Sequence, residues 1–123
     1  LPLTVLVVED EFLVRMTVAE YLRDEGFEVI EAGDADQALT MLKNGAKIDV
    51  LFSDVRMPGS IDGCELARRV RADWPTLPNI LTSGYSEELL SARRVCEDIV
   101  IPKPYRPQAI VTTIRAVLPP EYL

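Results

Sequence analysis

Five short apolar runs punctuate this chain, and stretches of helical periodicity separate them. The first, LTVLVV at residues 3–8, is β-branched and bounded by the acidic EDE, which predicts a strand buried on both faces. Beyond it Val14, Thr17, Val18, Tyr21 and Leu22 recur at the spacing of one helix face, so a helix is expected over residues 11–25, stopped by Gly26. FEVIEA (27–32) alternates and predicts a second strand nearer the sheet edge. Asp34, with Gln37 three residues later, has the form of a capping box, opening a helix that ends near Asn44 and Gly45. IDVLFS (48–53) reads as the third strand, Leu66, Val70 and Trp74 mark a helix, NILTS (79–83) and DIVI (98–101) are strands, and Ile110, Ile114 and Val117 mark a last helix. Between the last two strands SEELLSARRVCED carries a weaker stripe in Leu89, Leu90 and Val95, predicting a helix that is loosely anchored.

Strand and helix thus alternate five times, which favours an α/β architecture with a parallel sheet and helices on both faces, because parallel neighbours need crossover connections. In open sheets of this kind ligands sit outside the carboxyl ends of the strands.

Composition narrows the function classes. A chain of 123 residues is the size of one domain, and 48% hydrophobic with 27% charged residues is ordinary for a globular protein. The longest aliphatic run covers only residues 5–8, far below the roughly 20 residues needed to cross a bilayer, and no signal-peptide pattern precedes it. The expectation is a soluble protein without a membrane role. Histidine is absent, and Cys64 and Cys96 lie far apart without metal-ligand spacing; a zinc site, a disulfide framework and histidine catalysis therefore lack support, and a reducing, cytoplasmic setting is favoured. The net charge of −7 argues against direct nucleic-acid binding.

The strand ends carry the chemistry. Glu9 and Asp10 follow the first strand, Asp54 the third, Ser83 the fourth and Lys103 the fifth. Each alone has an ordinary explanation: a helix cap for Asp10, a turn for Asp54, a Ser-Gly loop for Ser83, a solvated lysine for Lys103. Together they suggest more, since strands one and three are normally neighbours in such a sheet. Two like charges about 4 Å apart repel by roughly 4 kcal/mol at an effective dielectric of 20, so three crowded carboxylates call for a hard divalent cation such as Mg²⁺. Beside that cation Asp54 is a plausible nucleophile toward phosphorus, with Lys103 supplying positive charge and Ser83 a hydroxyl donor.

VVED (7–10), FSDVRMPGSIDG (52–63), ILTSGY (80–85) and IPKPY (101–105) resemble, in order and spacing, the motifs of the receiver domain of bacterial two-component response regulators. The resemblance spans essentially residues 1–123 as a single receiver domain. It implies a flavodoxin-like, doubly wound sheet of five parallel strands in the order 2-1-3-4-5, flanked by five helices. It also implies phosphorylation of Asp54 by a sensor histidine kinase or phosphotransfer protein, and Mg²⁺ held by Asp10, Asp54 and the main-chain carbonyl of Arg56, with Glu9 contributing through water. A cis peptide before Pro104, aiming Lys103 into the site, belongs to the same pattern. Two departures stand out. The aromatic usually found three residues before the lysine is replaced by Val100, and Tyr85 is the candidate substitute, in a loop resembling a "TGY" subgroup. The MPGSIDG loop is also one residue longer than the common form.

A phosphoryl group adds nearly two negative charges and three acceptor oxygens, which Ser83 and Lys103 can answer. Pulling Ser83 inward is expected to drag the loop bearing Tyr85 and to bias the face formed by the fourth helix, fifth strand and fifth helix, where the resemblance places a downstream protein partner and homodimerisation on phosphorylation. Only PPEYL follows the last helix, and this brevity slightly favours a stand-alone receiver over one excised from a hybrid kinase. Two rival readings ask for different residues. A haloacid dehalogenase-type phosphatase wants Asp-x-Asp after the first strand, whereas Asp54 follows the third and Arg56 stands at the second position. A flavodoxin-like binding module would set its flavin phosphate against Glu9, Asp10 and Asp54.

Overall fold

The computed structural model describes residues 2–84 and 99–118. Within them the order is β1 (Thr4–Val8), α1 (Phe12–Asp24), β2 (Glu28–Ala32), α2 (Ala35–Lys43), β3 (Val50–Asp54), α3 (Gly63–Asp73), β4 (Asn79–Ser83), β5 (Ile99–Pro102) and α4 (Pro107–Val117), the last being the fifth helix expected from the sequence. All strand pairs are parallel, and the sheet runs β2-β1-β3-β4-β5. The helix expected over SEELLSARRVCED, with Leu89, Leu90, Val95 and Cys96, lies outside the described residues, as does Tyr85. Among the described residues no helix is long and apolar enough to cross a membrane.

Strand geometry explains the unbroken apolar runs. Successive side chains point to opposite faces, so Val5 and Val7 enter one core with Phe52, Ile80 and Ile101, under Val18 and Leu22 of α1 and Ile110 and Ile114 of α4. Leu6 and Val8 enter the other with Leu51, under Leu39 and Leu42 of α2 and Leu66 and Val70 of α3. Strands covered on both faces are therefore apolar at successive positions over most of their length, and β3 and β4 turn polar toward their carboxyl ends, where Ser53, Asp54, Thr82 and Ser83 are buried. The edge strand β2 is mostly half-buried, and rather than alternating with polar positions its adjacent Val29 and Ile30 pack against the two opposite cores.

Local chemistry sets the helix ends. Both α1 and α2 close on a glycine with positive φ, Gly26 at 98° and Gly45 at 87°. In each case paired main-chain bonds satisfy the last carbonyls: Gly26 to Arg23 and Phe27 to Leu22, Gly45 to Leu42 and Ala46 to Met41, all at 3.0–3.1 Å. At the start of α2 the Asp34 carboxylate accepts from the Gln37 amide at 2.8 Å, but the Gln37 side chain accepts from Gly33 rather than from Asp34 itself, so the box closes one residue early. The buried face of α1 differs from the expected stripe at one position. Thr17 is exposed and donates to the Leu13 carbonyl at 2.8 Å, while Ala19 is buried, its small side chain letting the helix lie close on the sheet.

Candidate functional site

The register puts the acidic groups together. Val8 of β1 pairs with Ser53 of β3, so one step further along both strands Glu9 comes abreast of Asp54. Glu9 and Asp54 are buried and Asp10 is exposed, and ligand oxygens from the three carboxylates all lie within 4.8 Å of one another. The ordinary alternative for Asp10, a helix cap, is not what the chain uses: α1 has no side-chain cap, and the Glu11 amide donates instead to Glu9 Oε2 at 3.0 Å.

Lys103 reaches this cluster from β5. Its Nζ lies 3.0 Å from Asp54 Oδ2, and its main-chain N–H donates to the Ser83 carbonyl at 2.9 Å, which ties the lysine to the end of β4. The Lys103–Pro104 peptide is cis. Ser83 is 1% exposed at the end of β4. Around these groups opens a cleft of about 790 Å³, lined by Asp10, Asp54, Arg56 and Lys103 and walled by apolar groups that include Met57 and Tyr105. The sequence-predicted residues Glu9, Asp10, Asp54, Arg56, Ser83 and Lys103 therefore gather at the carboxyl ends of β1, β3, β4 and β5.

The electrostatics follow from burial and crowding. Burial pushes the Glu9 carboxyl from its ordinary 4.5 up to about 7; the Asp10 side chain and the charge of Asp54 act the same way, while the Glu11 amide and Lys103 oppose them. Burial likewise pushes the Tyr105 phenol up to about 12, reinforced by the charges of Glu9 and Asp54, and its ring meets Phe52 edge-on with centroids 6.1 Å apart. A cluster of hard oxygen donors in which one acid is driven toward protonation fits a small divalent cation well, because such an ion removes the like-charge penalty.

The motifs assign no role to three further contributors, although Asp62 and Gly63 close FSDVRMPGSIDG. Gly63 opens α3 against the end of β3: its N–H donates to the Val55 carbonyl at 2.8 Å, and a Cβ there would run into the Asp54 carbonyl oxygen and approach Val55 Cα to 2.8 Å. Its place at the end of a Pro-Gly-Ser-Ile-Asp-Gly stretch was the available signal. Asp62 caps α3 by accepting from the Glu65 amide at 2.9 Å. Arg15 donates to the Glu9 carbonyl at 2.8 Å. Val100, by contrast, is buried as a small core residue near Val55, Cys64, Ala67 and Leu81, in keeping with the missing aromatic.

Comparison with known proteins identifies the fold and the family. The family model for the response regulator receiver domain matches residues 5–115. The chain is 37% identical over 119 residues to sensor kinase CckA of Brucella abortus, covering 94% of this chain and 12% of that protein. It is 34% identical over 119 residues to the phosphate regulon transcriptional regulatory protein PhoB of Pseudomonas aeruginosa, covering 94% of this chain and 51% of that protein. The structure of chemotaxis protein CheY4 of Vibrio cholerae superposes with a TM-score of 0.83 at 30% identity, covering 96% of this chain and all (100%) of that one.

Proposed function

This chain belongs to the response regulator receiver domain family, and from that premise we propose that Asp54 is its phosphoacceptor, with Lys103 and Ser83 receiving the phosphoryl oxygens. The donor in this scheme is a phosphohistidine on a sensor kinase or phosphotransfer protein. A carboxylate oxygen of Asp54 attacks phosphorus, the bond from phosphorus to the imidazole nitrogen breaks, and the leaving nitrogen takes up a proton. Asp10, Asp54 and the Arg56 carbonyl would hold Mg²⁺, with Glu9 assisting through water; the bound ion supplies charge neutralisation at the transferring group.

The observation that carries the proposal is the convergence of three carboxylates within 4.8 Å with Lys103 Nζ 3.0 Å from Asp54. Lys103 holds Asp54 in place before transfer. Once Asp54 carries the phosphoryl group as an acyl phosphate, the negative charge that Lys103 paired moves outward onto the phosphoryl oxygens, and Lys103 follows it. Because the Lys103 amide is bonded to the Ser83 carbonyl, a shift at one strand end is felt at the other. The output is then read by a downstream protein on the side of β5 and α4, where Ile99 is 45% exposed. The chemistry is self-directed, not turnover of a substrate, and a cytoplasmic setting belongs to the same proposal. Arg56 is an exposed cation where a dehalogenase-type phosphatase needs its second acid, which counts against that alternative.

Intact-mass measurement after treatment with acetyl phosphate tests the assignment. One phosphoryl group is expected on the wild type with Mg²⁺, little without the ion, and none on Asp54→Asn. Labelling of that variant at the wild-type level would overturn it.

A further inference from the structure

Arg15 lies outside every motif that marks the site, yet its guanidinium touches the backbone of the acidic cluster. Nη1 donates to the Glu9 main-chain carbonyl at 2.8 Å, and Nε lies 3.4 Å from Glu31 Oε1. The Phe12 ring covers the group, with Cζ 5.5 Å from its centroid, and only 18% of the Arg15 side chain is exposed. Gly33 lies close by as well, where an added Cβ would meet Nη1 in ordinary contact at 3.4 Å.

The carbonyl so held belongs to the peptide unit that joins Glu9 to Asp10. A peptide unit is a rigid plane, and rotating it swings the groups at both ends together. The preceding amide of Glu9 is bonded to the Ala32 carbonyl at 3.1 Å, which fixes the chain up to that plane. Arg15 fixes the plane itself.

We propose that Arg15 is a positioning residue that orients the Glu9–Asp10 peptide so that both carboxylates face Asp54, and in doing so sets the affinity of the cluster for a divalent cation. This presupposes the magnesium-binding phosphoacceptor site proposed above. Electrostatics alone makes the opposite prediction: deleting a cation beside three carboxylates leaves the site more negative, and Mg²⁺ should bind more tightly. Loss of orientation should weaken binding, by about 10–100-fold if Arg15 behaves as other groups that orient metal ligands. The sign of the change separates the two.

Calorimetric titration of the whole chain with MgCl₂ supplies the test, on the wild type, Arg15→Met and Glu31→Gln. Arg15→Met is expected to weaken binding within that range and to shift the Asp10 amide resonance in Mg²⁺-free protein, whereas Glu31→Gln, which spares the contact with Glu9, is expected to do much less. If Arg15→Met does not fold, Arg15→Gln, with a shorter neutral side chain, is judged by the same sign. Unchanged or tighter binding by the folded variant, beside normal binding by the wild type, would overturn the role of Arg15 and leave the site assignment intact. A wild-type chain that binds no Mg²⁺ would instead defeat the site assignment.

Discussion

At the scale of single residues, the clearest consequence concerns Glu9. Its folded-state pKa of about 7 lies above its ordinary 4.5 because burial and neighbouring acids disfavour the charge. The folded chain therefore binds this proton more tightly than the unfolded one, and the stability tied to it is full below about 4.5 and lost as pH rises through about 7. In Mg²⁺-free buffer the melting temperature of the wild type should fall relative to that of Glu9→Gln between pH 5 and 8, as read by circular dichroism; parallel curves would exclude Glu9 as the titrating group. Lys103 yields a second expectation, because its charge competes with a bound cation for Asp54. Lys103→Ala should bind Mg²⁺ more tightly while blunting the conformational response to phosphorylation, measured by amide shifts on acetyl phosphate treatment. Of the site residues, those at strand ends were legible because a carboxylate or lysine terminating an apolar run has few structural uses. Arg15 was not, since an arginine on the first turns of a helix has many.

At the scale of elements, periodicity located every described strand and helix because parallel strands covered on both faces are apolar over most of their length and the helices covering them are apolar on one face. Helix ends were legible where a glycine or a capping side chain acts locally, as at Gly26, Gly45 and Asp34. The connection from β3 to α3 was not, because its form depends on contacts distant in sequence. Gly59 takes φ 115°, Ser60 donates to the Asp36 carboxylate of α2 at 3.1 Å, and Ile61 packs into the core between α2 and α3. The close approach at Gly63 ends that connection, and it is testable. Gly63→Ala must push α3 off the backbone of Asp54 and Val55, and an overpacking loss of about 1–3 kcal/mol is expected in denaturant unfolding. Asp62→Ala, which removes only the cap, should lose about 1 kcal/mol. If the glycine substitution proved the milder of the two, the contact drawn between α3 and β3 would be wrong.

At the scale of the whole molecule, the two cores meet the sheet from opposite sides, while the acidic cluster caps the ends of two strands that belong to both. Glu9 follows β1 and Asp54 ends β3, both interior strands with a neighbour on each side, so crowding there burdens the centre of the sheet rather than its margin. A cation that relieves the crowding should stabilise the entire fold cooperatively. By mass action a ligand at 100 times its dissociation constant, bound only to the folded chain, adds about 2.7 kcal/mol, which for a domain of this size raises the melting temperature by on the order of 10 °C. Calorimetric scans at pH 7 should therefore shift upward with MgCl₂ and return with a chelator. Asp10→Asn should melt at a higher temperature than the wild type when the ion is absent, since it relieves repulsion, and should respond weakly when the ion is added. A wild-type curve indifferent to Mg²⁺ would mean that Lys103 alone suffices to neutralise the cluster, and the proposed division of labour between lysine and metal would have to be given up.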